Sequence, residues 1–203
     1  HAAGTGVEVE PEVVRALKLL RLQTLASGHT GVRPVVVETY AAMLDAGITP
    51  IVREYGSLGC SGDLAPLSHV ALAALGEGQV RDAAGEERDA AAALAAAGIA
   101  PLVLEEKEGL ALINGTDGML GMLLLALDDL GTLLDTADIA AALSVESQLG
   151  TDAVFAADLM ALRPQLGQAA SAARLRALLA GSEIMASHRD PALCTRVHDA
   201  YSL

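Results

Sequence analysis

The chain has 203 residues, 52% of them apolar and 2% aromatic, with a formal net charge of -13. That length supports a sizeable core and would ordinarily form one domain. The acidic balance and the scarcity of rings argue against nucleic-acid binding, which needs basic patches and stacking platforms, and a surface of this sign mainly favours solubility.

His1 to Gly6 reads as a flexible opening. Pro11 then begins a helix carrying Val14, Leu17, Leu20, Leu22 and Leu25, and Gly28 stops it. A loop leads to a second helix from about Pro34 to Ala46, closed by Gly47. Ile48 to Glu54 looks extended and feeds a glycine-rich loop in which Gly56, Gly59 and Gly62 permit turns that a side chain would forbid. Behind it, Asp63 is a plausible N-cap and Pro66 fits a first helical turn. Leu64, Leu67, Val70, Ala71, Ala74 and Leu75 form an apolar face at helical spacing. Cys60, Ser61 and Gly62 therefore precede a helix N-terminus, where aligned peptide dipoles favour a group that gains negative charge.

Gln79 to Arg88, with Ala84 and Gly85 in the middle, predicts a short hairpin. Ala90 to Ala97 predicts an alanine helix ended by Gly98, and Glu105 to Leu112 another short helical piece, broken at Asn114-Gly115-Thr116. From Asp117 to about Leu149 the pattern is helical, roughly 50 Å at the standard rise per residue. Its many leucines are enough to pack on more than one partner. Asp152 to Leu162 and Gln168 to Ala180 predict two further helices, and Ser187 to Leu203 reads as irregular. Periodicity alone gives an all-α fold without a domain boundary. No apolar run reaches the length of a membrane span, because Asp128 and Asp129 soon follow Met119 to Leu127. Cys60 and Cys194 lie far apart and form neither a disulfide framework nor a metal cluster, which suits a reducing cytoplasm. Neither metal-ligand spacing nor a phosphate loop is evident, so no metal or nucleotide is expected.

The string from Gly56 to Gly78 resembles the signature of the aromatic amino acid ammonia-lyases, in particular the branch acting on L-histidine. In that family a segment that is usually Ala-Ser-Gly condenses with itself. The glycine nitrogen attacks the first residue's carbonyl, two waters leave, and the serine becomes a dehydroalanine in a methylidene-imidazolone ring. Carried over, Cys60-Ser61-Gly62 is the ring precursor, Ser61 the electrophilic carbon, and Cys60 a departure that leaves the ring intact but places a thiol beside it. The resemblance also implies a substrate-contacting His1, an active-site Asn114 and a site-lining Tyr201. His198 stands where relatives carry a glutamine that lines the pocket. His29, His69 and His188 read as structural or solvated.

The resemblance covers residues 1–203, and family members are more than twice this long, so the expectation is the central part of one catalytic domain. It implies the long-helix bundle of the ammonia-lyase and fumarase-like superfamily, and a homotetramer whose sites combine residues from three subunits. The implied reaction eliminates ammonia from L-histidine, with the base supplied by a neighbouring subunit's tyrosine outside this chain. The 203 residues by themselves are expected to be inactive. Three alternatives stay open: a relative acting on phenylalanine or tyrosine with the same ring, a helical scaffold in which Ser61 remains a serine, and a nucleophilic Cys60 at the helix N-terminus.

Overall fold

The computed structural model describes residues 4–190 together with Ala192, Cys194, Arg196 and His198. They form two compact units, residues 1–127 and 128–203, divided within one long helix.

The first unit begins with strand β1 (Thr5–Glu8), where the sequence reading had only a flexible opening. Pairing explains the difference, since β1 lies antiparallel to β3 (Arg53–Tyr55), with Thr5 opposite Tyr55 and Glu8 opposite Arg53. Helix α1 (Pro11–Ala26) has Pro11 at its start, where a missing N–H costs nothing. Its core face is Val14, Leu17, Lys18, Arg21 and Leu25, so two cations share the apolar stripe. Helix α2 (Pro34–Asp45) starts the same way and buries Val36, Thr39, Tyr40 and Met43.

The stretch expected to be extended, Ile48 to Glu54, divides between two sheets. β2 (Thr49–Pro50) pairs with β4 (Gln79–Arg81), and β4 pairs with β5 (Glu87–Asp89), which is the expected hairpin. Pro50 has no N–H to donate and sits on the edge strand of that sheet. Arg81 ties β4 to β1 through two bonds to the Glu8 carboxylate, 2.8 and 2.6 Å. Helices α3 (Leu64–Ala74), α4 (Ala90–Ala96) and α5 (Glu108–Ile113) complete the core, in which Leu67, Val70, Ala74, Leu94 and Leu112 are almost wholly buried. Burial of each such leucine or valine contributes about 1.5–3 kcal/mol.

Helix α6 (Asp117–Ser147) is the long helix foreseen from the leucine pattern. The helical stretch 108–147 contains a window of mean hydropathy 1.6, long and apolar enough by length and composition to cross a bilayer, which departs from the expectation based on Asp128 and Asp129. Along α6, Leu127, Leu133, Leu134 and Leu143 are each more than half exposed.

In the second unit, α7 (Ala157–Ala161), α8 (Leu166–Leu178) and α9 (Glu183–Ser187) follow α6. Ala142, Val145, Leu175, Leu179 and Met185 form its own small core. The helix predicted over 152–162 is shorter than expected, a single 3-10 turn at Ala153–Phe155 followed by α7. Ser182 caps α9 by accepting the Met185 N–H at 3.2 Å. The fold is all-α with small sheet excursions, as the periodicity and the resemblance implied.

Candidate functional site

The glycine-rich loop closes on itself. Leu58 N–H donates to the Gly62 carbonyl at 3.0 Å, Ser61 N–H to Leu58 at 3.1 Å, and Gly62 N–H to Gly59 at 2.9 Å, around a 3-10 turn at Gly59–Ser61. Gly62 has φ +114°, backbone that L side chains rarely adopt, and it is buried, while Cys60 and Ser61 are exposed. The turn is tight, with glycine third and an exposed serine second.

Asp63 follows, fully buried. It occupies the N-cap position of α3 as expected, its carbonyl accepting the Leu67 N–H at 2.9 Å, but its side chain makes no cap bond to that helix. Its carboxylate instead accepts the Ser57 hydroxyl and, at 2.9 Å, the Met119 N–H in the first turn of α6. The anion therefore meets the positive end of a different helix. Its own N–H donates to the Gly115 carbonyl at 2.7 Å.

That bond joins the loop to the Asn114 turn. Asn114 ends α5 with its side chain exposed, and Gly115 is so placed that a Cβ built on Gly62 would lie 3.5 Å from the Gly115 carbonyl oxygen. The fold thus brings Cys60, Ser61 and Gly62 beside Asn114, although the two segments are some fifty residues apart in the chain. Two helices, α3 and α6, start at this place, so partial positive charge converges where an exposed serine and an exposed amide sit.

The turn is braced from the side of α2. Glu108, at the start of α5, is 2% exposed and accepts from Arg33 N–H at 3.0 Å, Arg33 Nε at 2.9 Å, Arg33 Nη2 at 2.8 Å and Glu105 N–H at 2.9 Å. These bonds, Arg33 first, hold its carboxyl at about 2. The sequence reading missed this pair. Its only signal was a charged residue at the start of each helix, and the partners are 75 positions apart.

His69 belongs to α3, and its Nε2 is buried without a hydrogen-bond partner among the described residues. Burial, with the nearby Arg53 charge, lowers its pKa. It packs on Gly4: a Cβ there would fall 2.8 Å from His69 Nε2. His188 is structural as expected, its Nδ1 2.8 Å from the Ile184 carbonyl and its Nε2 2.9 Å from that of Gly150. His198 belongs to the second unit, is exposed, and lines a cavity of about 530 Å³ with Cys194, Arg196 and His188. His1 and Tyr201 lie outside the described residues.

The aromatic amino acid lyase family model matches residues 1–203. A histidine ammonia-lyase of Streptomyces avermitilis is 62% identical over 203 residues, all of this chain and 39% of that protein. The chain therefore spans about two fifths of the length of that curated relative. Among solved structures, a histidine ammonia-lyase from Trypanosoma cruzi matches with a TM-score of 0.81 and 38% identity, over 87% of this chain and 34% of that one. An ergothioneine-degrading ergothionase from Treponema denticola matches with a TM-score of 0.88 and 30% identity, over 99% of this chain and 39% of that one.

Proposed function

Because the chain belongs to the aromatic amino acid lyase family, we propose that it forms part of a histidine ammonia-lyase, a carbon–nitrogen lyase that eliminates ammonia from L-histidine to give urocanate. The observation that carries this reading is the Asp63-to-Gly115 bond, which sets the Cys60-Ser61-Gly62 turn, with Cys60 and Ser61 exposed, beside the turn that carries the exposed Asn114. The methylidene-imidazolone ring that these three residues would supply is an electrophile toward the substrate amine.

The chain's own residues prepare the place. Gly62 gives the turn its shape, and Asp63 ties it to the Asn114 turn and to α6, its N–H donating to the Gly115 carbonyl and its carboxylate accepting the Met119 N–H. Asn114 presents an amide that orients the substrate and meets charge as it develops, aided by the two helix N-termini. Preorganised groups of this kind need no rearrangement at the moment of reaction. We assign His1 and His198 to substrate contact and Tyr201 to the site lining. A homotetramer with shared sites is supported by the row of exposed leucines on α6, a face that a second helix would cover. Two free cysteines fit a reducing cytoplasm.

The test uses a lyase of the relatives' full length that carries this segment. A peptide spanning Cys60 to Gly62 should weigh two waters less than its sequence, and L-histidine should be deaminated in preference to phenylalanine and tyrosine. An unmodified peptide in fully active enzyme would sink the proposed cofactor, and a preference for phenylalanine or tyrosine would sink the substrate.

A further inference from the structure

Arg21 has no part in the reaction as read above, yet its side chain lies under the Asn114 turn. It is 2% exposed, deep in the first unit on the core face of α1. Its Nη1 donates to the Ala111 carbonyl at 3.2 Å and to the Asn114 carbonyl at 3.3 Å, and its Nη2 pairs with the Asp117 carboxylate. Ala111 and Asn114 are at the end of α5, and Asp117 is the first residue of α6. One guanidinium therefore spans the whole break between two helices.

Gly115 lies against it, since a Cβ there would collide with Nη2. The Gly115 carbonyl is the one that accepts the Asp63 N–H. Arg21 is thus bonded to the Asn114 turn, and that turn to Asp63, the residue that follows Cys60-Ser61-Gly62. The guanidinium suits this task because its planar fork reaches two carbonyls and a carboxylate at once, which the point charge of a lysine does not. Its Nε finds no hydrogen-bond partner among the described residues. A buried, incompletely satisfied ion pair adds little net stability over an apolar replacement, so the contribution of this one lies in geometry.

We propose that Arg21 is a positioning residue for the ammonia-lyase reaction: it holds the Asn114 carbonyl and the Asp117 carboxylate so that the Asn114 amide faces the Cys60-Ser61-Gly62 turn. The inference rests on the site reading given above.

The experiment is a double-mutant cycle in a lyase of the relatives' full length carrying this segment, with L-histidine as substrate. Asn114→Ala is expected to lower kcat/KM about 100-fold, the usual order for one lost charge-stabilising donor. Arg21→Lys is expected to lower kcat by about 10- to 100-fold through misplacement of the amide, with KM moved less than about threefold and the two waters still missing at residues 60 to 62. The double variant should then be no worse than Asn114→Ala alone, because Arg21 acts through a group already removed. Losses that multiply in the double variant overturn the positioning role while leaving the site reading intact. Loss of the ring mass in Arg21→Lys also overturns it, since the residue would then serve maturation or folding. Full activity in Asn114→Ala overturns the site reading and this inference with it. If Arg21→Lys does not fold, Asp117→Ala, which leaves Nη2 without its carboxylate, replaces it in the same cycle with the same expectation.

Discussion

The carboxylate of Asp63 accepts the backbone N–H of Met119 at 2.9 Å, so a residue in the signature loop caps a helix that starts more than fifty positions later. The loop and the Asn114 turn cannot move apart without breaking that bond and the Asp63-to-Gly115 bond. Asp63→Ala leaves Met119 N–H and the Ser57 hydroxyl without their acceptor, at a cost of about 1–3 kcal/mol, whereas Asp63→Asn keeps an acceptor for one of them and loses less. Urea unfolding midpoints of the two variants test this, and equal stability of Asp63→Ala and the parent would refute it.

Lys18 is 1% exposed, and its Nζ donates to the Ile48 carbonyl. Burial, with the Arg15 charge, lowers its pKa from 10.5 to about 7. The unfolded chain keeps this proton up to its ordinary value while the folded one releases it near neutrality, so between those limits the unfolded state binds more protons. Stability should therefore rise with pH across that interval, by at most about 1.4 kcal/mol per pH unit. Lys18→Met removes the rise and gains most over the parent at or below pH 7. A parent-to-variant difference that stays constant across the interval would contradict the assignment.

Glu108 has the opposite sign. Its folded pKa of about 2 lies below the ordinary 4.5, so its contribution is complete above the unfolded value and is lost as pH falls toward 2. Glu108→Gln should be clearly less stable than the parent at pH 6, and the gap should close as pH falls through that window. A gap that persists undiminished at pH 2.5 would show that packing, not charge, is what the substitution disturbs.

Ser61 and Cys60 separate the chemical alternatives. Ser61→Ala removes the hydroxyl that must be eliminated, and the expected loss of activity in the full-length lyase is at least about 1000-fold, the scale of losing a covalent catalyst. Cys60→Ala keeps the backbone carbonyl and should leave kcat/KM within about threefold of the parent, a change under 1 kcal/mol. The reverse pattern, a tolerated Ser61→Ala with an inactive Cys60→Ala, would favour a thiol nucleophile.

Leu133 and Leu134 on α6 are 62% and 58% exposed. If copies of the chain cover this face, charges there must be desolvated on assembly, and Leu133→Asp with Leu134→Asp should lower the native mass of a full-length lyase in light scattering. An unchanged native mass would show that this face is not an interface between copies.

Local rules carried much of this structure. Pro11 and Pro34 marked two helix starts, Gly85 a hairpin turn, and the leucine spacing the long helix, because each depends on backbone constraints or periodicity within a few residues. Gly56 to Leu75 likewise marked a tight turn followed by a helix through its glycines and apolar spacing. What tertiary structure decided was every relationship between distant charges. Nothing in the local sequence around Lys18, Arg21, Arg33 and Glu108 names the groups they meet, and the position of Asp63 points only to its own helix. Their partners lie 30 to 96 positions away, and a buried charge is tolerable only where the fold brings a carbonyl, an amide or an opposite charge to meet it. Periodicity records which face is covered, whereas the identity of the group that waits there is settled only when the chain has closed around it.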